Sequence, residues 1–348
     1  LARLTESITP EGAYTYGYDL SGGRLSESYG GVTRTFSYNA ANQLISDGVH
    51  TYTYDPRGNL LTKVQGATVI ETSTYDRANR LLNVDGTSYG YDGDGQRIRQ
   101  TVGGTVTEYL VDAAAGLPVV VQATRGSAVT RSVHAVGGVL SEQNPDGTWE
   151  WLLRDGLGSV RSVTDAAGAV LETVDYSPYG VPTAPLTRTA YGFTGEMTDT
   201  NGRVYLRARY YHPTLGTFPT LDPFEGAPER PLSLHGYSYA NGNPVTLVDL
   251  RGLSASVAKA MNGGMCQQKP PIDPRILDPK EFKNIEGLSS KLVESDYERC
   301  LREQGCFTIP SSNYTSSLIG AELCNQRCGG ETLLGPISDD VINLLGVG

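Results

Sequence analysis

The side chains able to do covalent or metal chemistry are divided sharply along this chain of 348 residues. All five cysteines (Cys266, Cys300, Cys306, Cys324 and Cys328) follow residue 253, and all four histidines (His50, His134, His212 and His235) precede it. Cys300-x5-Cys306 and Cys324-x3-Cys328 suit two disulfides in an oxidising compartment, with Cys266 left over. The same four sulfurs could also hold zinc, but neither spacing is the usual CxxC, so thiols or disulfides are the preferred reading. With no histidine after residue 253, a Cys–His or Ser–His pair cannot form within that segment. An Asp/Glu-based hydrolase stays open there. No spacing pairs the four histidines as ligands, so no metal site and no cofactor are expected.

Other residue types break at the same place. Lys63 alone of the six lysines, but 19 of the 21 tyrosines, lie in residues 1–253. Residues 254–348 carry 9 basic and 12 acidic residues. The net charge of -10 for the whole chain argues against a nucleic-acid groove. No apolar run reaches the roughly 18 residues that a transmembrane helix needs. The break marks two modules of different physical type; a cysteine-bearing helical tail capping the first module is the alternative. In the second module, Gly263-Gly264 and Pro270-Pro271 read as linker. Asp278-Pro279 opens a short helix through Ile285. Ser290 to Gln304 reads as a second helix ending at Gly305, and Asp339 to Leu345 as a third. That module is expected to be mainly helical.

The elements before the break are signalled by a recurring pattern: aromatic, Asp or Asn, two residues, Gly or Asn, polar, Leu. It appears as Tyr38-Asn39…Asn42-Gln43-Leu44, Tyr54-Asp55…Gly58-Asn59-Leu60 and Tyr75-Asp76…Asn79-Arg80-Leu81. Tyr91-Asp92…Gly95-Gln96-Arg97 is a looser copy, and Tyr18-Asp19…Gly23-Arg24-Leu25 reads as carrying one extra residue. The spacing suits two strands and two turns per unit. The Asp is expected to bond its own turn, and the Gly or Asn to take the positive-φ position. Alternating Tyr14, Tyr16 and Tyr18 share one sheet face, as do Tyr52 and Tyr54. Stacked copies are therefore expected to set tyrosine beside tyrosine. One such hairpin cannot bury its own face, so the ribbon must coil on itself. An ordinary tyrosine-rich β-sandwich or propeller is the bland alternative.

These units resemble the YD repeats of the Rhs family, which includes C components of insecticidal toxin complexes, bacterial polymorphic toxins and the teneurin YD shell. The resemblance continues through Trp151-Leu152-Leu153-Arg154-Asp155-Gly156-Leu157-Gly158, Tyr176-Ser177-Pro178-Tyr179-Gly180 and Tyr191-Gly192-Phe193-Thr194-Gly195. It extends into Leu206-Arg207-Ala208-Arg209-Tyr210-Tyr211-His212-Pro213 and ends at Asp249-Leu250-Arg251-Gly252-Leu253. It implies a mainly β fold: a spiralling YD-repeat strand shell, a partial cocoon, followed by the small helical region. The implied domains are residues 1–150 as repeat shell, 151–253 as Rhs-associated core, and 254–348 as a variable C-terminal effector. Complete shells of the family are longer, and the chain starts Leu1-Ala2-Arg3, so this is expected to be the last turns of a larger cocoon with aggregation-prone edges.

Many members of this family cut themselves just after the core, where the motif is a pair of Asp-Pro-x-Gly segments and the cut follows the last apolar residue. Carried onto this chain, the resemblance implies Asp222 and Asp249 as the catalytic carboxylates, Arg209 as their support, and a cut between Leu253 and Ser254. Two close carboxylates share a proton, so one polarises the scissile carbonyl while the other activates water. The chain departs from the pattern in several places. Leu250 replaces Pro, Gly226 comes one residue late, His212 stands where Asp is usual, and Thr217 where Arg is usual. Residues 223–248 are also a few more than is common. The alternative for Asp222 and Asp249 is turn capping in a shell that is never cut.

The function implied is a secreted or cell-surface shell that carries a C-terminal effector, for competition between bacteria or intoxication of a host. Its implied partners are its own C-terminal segment as enclosed cargo, an immunity protein and secretion-system components. The competing class is an extracellular YD-shell scaffold or adhesion protein whose C-terminal region is a non-toxic cap.

Overall fold

In the computed structural model every Tyr-Asp unit closes the same turn. The structure describes residues 3–9, 12–114, 116–135, 138–226, 231–253 and 255–257. The cysteines, linker and helices expected after residue 257 lie outside the described residues, as does Ser254. Each repeat tyrosine pairs with the residue six positions on: Tyr38 with Leu44, Tyr54 with Leu60, Tyr75 with Leu81 and Tyr91 with Arg97. Between them the Asp Oδ1 accepts two backbone N–H groups, for Asp76 those of Ala78 at 2.8 Å and Arg80 at 2.9 Å. Asn42, Gly58, Asn79 and Gly95 take positive φ, as the pattern predicts.

The first copy holds no extra residue. Tyr18 pairs with Arg24, so Arg24 takes the inward seat that leucine holds elsewhere, and Leu25 faces solvent. Arg97 takes the same seat in its copy. Both charges are buried because each finds partners there. The Arg24 guanidinium lies 4.3 Å from the centre of the Tyr179 ring and pairs with Glu27 at 2.5 Å. Arg97 lies 4.3 Å from the Tyr205 ring and donates to both oxygens of Asp199 at 2.8 and 2.9 Å.

Neighbouring copies are joined by hydroxyls more than by stacked rings. The hydroxyls of Tyr54, Tyr75 and Tyr91 donate to the carbonyls of Leu44, Leu60 and Leu81, the inward residues of the copies before them. Tyr14 and Tyr29 do stack, at 4.2 Å. Other tyrosine rings instead meet aromatics from beyond residue 175: Tyr16 meets Tyr179, Tyr54 meets Tyr237, and Tyr89 meets Tyr210.

Four strands, β1 (Glu6–Thr9), β2 (Gly12–Tyr18), β3 (Arg24–Tyr29) and β4 (Val32–Thr35), form one antiparallel sheet. Fifteen more, β5 (Ser37–Tyr38) to β19 (Val170–Thr173), form a second in which neighbours follow chain order. The fold is therefore mainly β, as expected. Position 150/151 falls inside β17 (Trp149–Arg154), and the sheet runs on past it. Along β17, Glu150 and Leu152 are buried while Trp149, Trp151 and Leu153 face out. The buried face packs against the stretch from residue 176 to 249. Leu44 and Leu60 meet Leu215, and Val160 and Val163 meet Tyr191 and Met197. That stretch is mostly turns, with two short hairpins: β20 (Val204–Leu206) with β21 (Arg209–Tyr211), and β22 (Leu247–Val248) with β23 (Ser256–Val257). The described residues, up to Val257, belong to one compact unit.

Candidate active site

The two hairpins bring the predicted site together. Leu206 pairs with Arg209 across β20 and β21, so Arg207 and Ala208 form the turn and Arg209 begins the return strand. Its guanidinium is buried and its donors converge on one spot. Nη2 donates to Asp222 Oδ2 at 2.6 Å and lies 3.8 Å from Asp249 Oδ2. Nη1 donates to the Gly236 carbonyl at 2.9 Å, and Nε donates to the Gly252 carbonyl. The Phe218 ring covers its face at 3.7 Å.

Each carboxylate is also fixed by backbone. Asp222 Oδ1 accepts from the Phe224 N–H at 2.9 Å, and the Asp222 N–H donates to Gly236, the same carbonyl that Arg209 uses. Asp249 follows β22, and its Oδ1 accepts from the Leu253 N–H at 3.1 Å. β22 then pairs with β23, Val248 opposite Ser256, so residues 249–255 are a closed loop. Leu253 sits in that loop beside Asp249. At Gly252 φ is +68°, and a Cβ there would lie 2.7 Å from the Leu206 carbonyl oxygen. Only glycine lets the loop lie this close to the β20–β21 turn.

Burial pushes the Asp222 carboxyl up to about 6, against the opposing pull of the Arg209 charge. The negative charge of Asp249 adds to the rise. A guanidinium stays charged at any pH a protein meets, so Arg209 is a fixed cation between two carboxyls. Asp222 therefore keeps its proton to a higher pH than a free aspartate does.

Asp222, Asp249, Arg209 and Leu253 are thus in one place, and Ser254 lies outside the described residues. The departures at His212 and Thr217 prove to be a facing pair. The two residues bridge across a tight turn, and the His212 N–H donates to the Thr217 carbonyl at 3.0 Å. Backbone bonds close that turn without an Asp–Arg pair. Two further residues escaped the sequence reading. Arg207 donates Nη1 to the Leu250 carbonyl at 2.5 Å and pairs with buried Glu196 at 2.9 Å. Arg207 shares its motif with Arg209, but Glu196 has no signal in spacing. Among the described residues no group of His, Cys, Asp and Glu could hold a metal ion. No helix among them is long and apolar enough to cross a membrane.

A YD-repeat strand shell closed by an aromatic core segment is the class this geometry defines. Residues 1–245 match the teneurin YD-shell family, and the chain belongs to that Rhs/YD-repeat family. It is 32% identical over 251 residues to the tRNA3(Ser)-specific nuclease WapA of Bacillus spizizenii, covering 70% of this chain and 9% of that protein. It is 30% identical over 105 residues to the toxin subunit YenC1 of Yersinia entomophaga, covering 28% of this chain and 10% of that one. The chain thus spans a tenth or less of the length of these curated relatives. A solved Photorhabdus luminescens Tc holotoxin pore is similar at 17% identity and a TM-score of 0.42, covering 72% of this chain and 17% of that one.

Proposed function

We propose that this chain is the closing part of an Rhs shell that cuts itself between Leu253 and Ser254, freeing residues 254–348 as an effector. The observation that carries this reading is Arg209 joining Asp222, Asp249 and the Gly252 carbonyl, with Leu253 bonded to Asp249. The ionised member of the pair takes a proton from water, whose oxygen bonds to the Leu253 carbonyl carbon. The protonated member donates to the carbonyl oxygen. Collapse of the intermediate breaks the C–N bond, and the proton passes to the Ser254 nitrogen. The reaction is intramolecular, so positioning supplies much of the rate.

The effector is read as serving competition between bacteria or intoxication of a host. That role makes the protein secreted or surface-borne and gives it an immunity protein and secretion-system components as partners. The names of the relatives, a tRNA nuclease and a toxin subunit, support an effector role. The matched region is the shell, and the net acidity of residues 254–348 does not favour a nuclease there.

Purified full-length chain is expected to run as two bands on a denaturing gel, with a released piece that starts at Ser254. Asp222→Asn and Asp249→Asn should stay whole. A wild-type chain that remains intact would favour the second reading, a scaffold with a non-toxic cap. One observation supports that second reading: each aspartate accepts a backbone N–H of its own turn, as a simple cap does.

A further inference from the structure

We propose that Arg207, held by Glu196, is a positioning residue that fixes the register of the segment presented for cutting. The inference rests on the self-cleavage reading above and assigns to it a pair of residues outside the two aspartates and Arg209.

Three consecutive residues of the β20–β21 hairpin hold three consecutive carbonyls ahead of Leu253. Arg207 Nη1 donates to Leu250 at 2.5 Å, the Ala208 N–H donates to Arg251 at 3.2 Å, and Arg209 Nε donates to Gly252. A single hold leaves the segment free to pivot, whereas holds at residues 250 and 252 fix its direction. A slip of one residue would move each carbonyl by about 3.3 Å. Productive geometry tolerates roughly 0.5 Å. Register therefore decides which peptide bond meets the carboxylates.

Arg209 is already committed to those carboxylates and Ala208 offers one backbone N–H, so the side-chain hold at Leu250 falls to Arg207. Its backbone is at φ 61°, in the left-handed region. That conformation is unfavourable for an ordinary residue, and glycine or asparagine would sit there more easily. The arginine side chain is engaged through Nε and Nη1 instead. Nε donates to the Pro118 carbonyl at 2.8 Å, Nη1 reaches both the Leu250 carbonyl and Glu196 Oε1, and only 13% of the side chain is exposed. Glu196 is itself buried and anchored, its N–H donating to the Phe193 carbonyl and its carbonyl accepting from Gly192. Two rigid elements therefore aim one guanidinium at the loop.

The test uses the full chain and reads two things: the time course of cutting on denaturing gels, and the N-termini of the released piece by mass spectrometry. Arg207→Gln is expected to slow cutting by about 10- to 100-fold, the scale of a small misplacement. It should also add starts at residues next to Ser254. Arg207→Lys keeps one cationic donor, so it should regain Ser254 as the main start and an intermediate rate. If Arg207→Gln does not fold, Glu196→Gln carries the test, with mixed starts expected because Arg207 is no longer aimed. Cutting by folded variants at the wild-type rate and only before Ser254 overturns the positioning role and leaves self-cleavage standing. Slower cutting with a single start in every variant also overturns it, since a merely structural role predicts that result. An intact wild-type chain, or Asp222→Asn cut like wild type, overturns the self-cleavage reading and this inference with it.

Discussion

At the scale of single residues, the site turns on a carboxyl that burial and a cation pull in opposite directions. Asp222 lies at about 6 in the folded chain, so desolvation outweighs Arg209. Its contribution to stability therefore has the opposite sign to that of an ordinary ion-paired aspartate. From the ordinary value of 3.8 up to about 6, the folded chain holds the proton more tightly than the unfolded one, so stability falls as pH rises. Below that window the carboxyl is protonated in both states, and above it the penalty is constant. Asp222→Asn should thus melt higher, relative to wild type, at pH 7 than at about pH 4. Paired thermal melts check this, and a gap that narrows with rising pH would refute it. The same proton should make self-cleavage faster at about pH 5 than at about pH 8, because the pair needs one protonated member. Single-turnover cutting across pH reads this directly, and a rate that rises with pH would exclude Asp222 as the acid. Asp222, Asp249 and Arg209 were found by resemblance, not by spacing. Arg209 stands 40 positions before Asp249, and no local rule joins them. Glu196 was invisible for the same reason. A buried acid announces itself only through its partner, and Arg207 reads as one more surface arginine until its turn is seen.

At the scale of the element, the Tyr-Asp turn was legible because its rules are local. An Asp that bonds the second and fourth N–H after it, and a Gly or Asn at positive φ, are encoded within five residues. Which residue takes the inward seat was not legible. Leu44, Leu60 and Leu81 fit the pattern, but Arg24 and Arg97 take the same seat because their partners come from far along the chain. Arg97 rests on Asp199 and Tyr205, over a hundred residues away. Arg97→Leu would supply the side chain that the other copies use, yet it would strand Asp199 in the interior. The expected loss is about 3–5 kcal/mol, the cost of leaving one member of a buried pair uncompensated. Adding Asp199→Asn should restore part of it. Urea unfolding of the two single variants and the double variant measures the coupling. Additive losses would mean that Arg97 and Asp199 act independently.

At the scale of the molecule, the question is what keeps the piece after the cut with the piece before it. The loop 249–255 is closed by β23 lying against β22, so a cut after Leu253 leaves β23 on the released side. That attachment is thin. Among the described residues it consists of two paired positions and the bond from the Ser256 hydroxyl to the Val248 carbonyl at 3.2 Å. Such hydrogen bonds contribute about 0.5–1.5 kcal/mol each, and a few of them correspond to millimolar binding at best. If residues 254–348 are cargo enclosed by the shell, retention must come from the shell as a whole and not from β23. Cut chain should then elute as one species in size exclusion under native conditions while giving two bands on a denaturing gel. Val248→Pro bars a residue of β22 from backbone donation and should leave co-elution unchanged. Pieces that separate on a native column at micromolar concentration would show that β23 was the whole attachment, and the enclosed-cargo reading would fall with it.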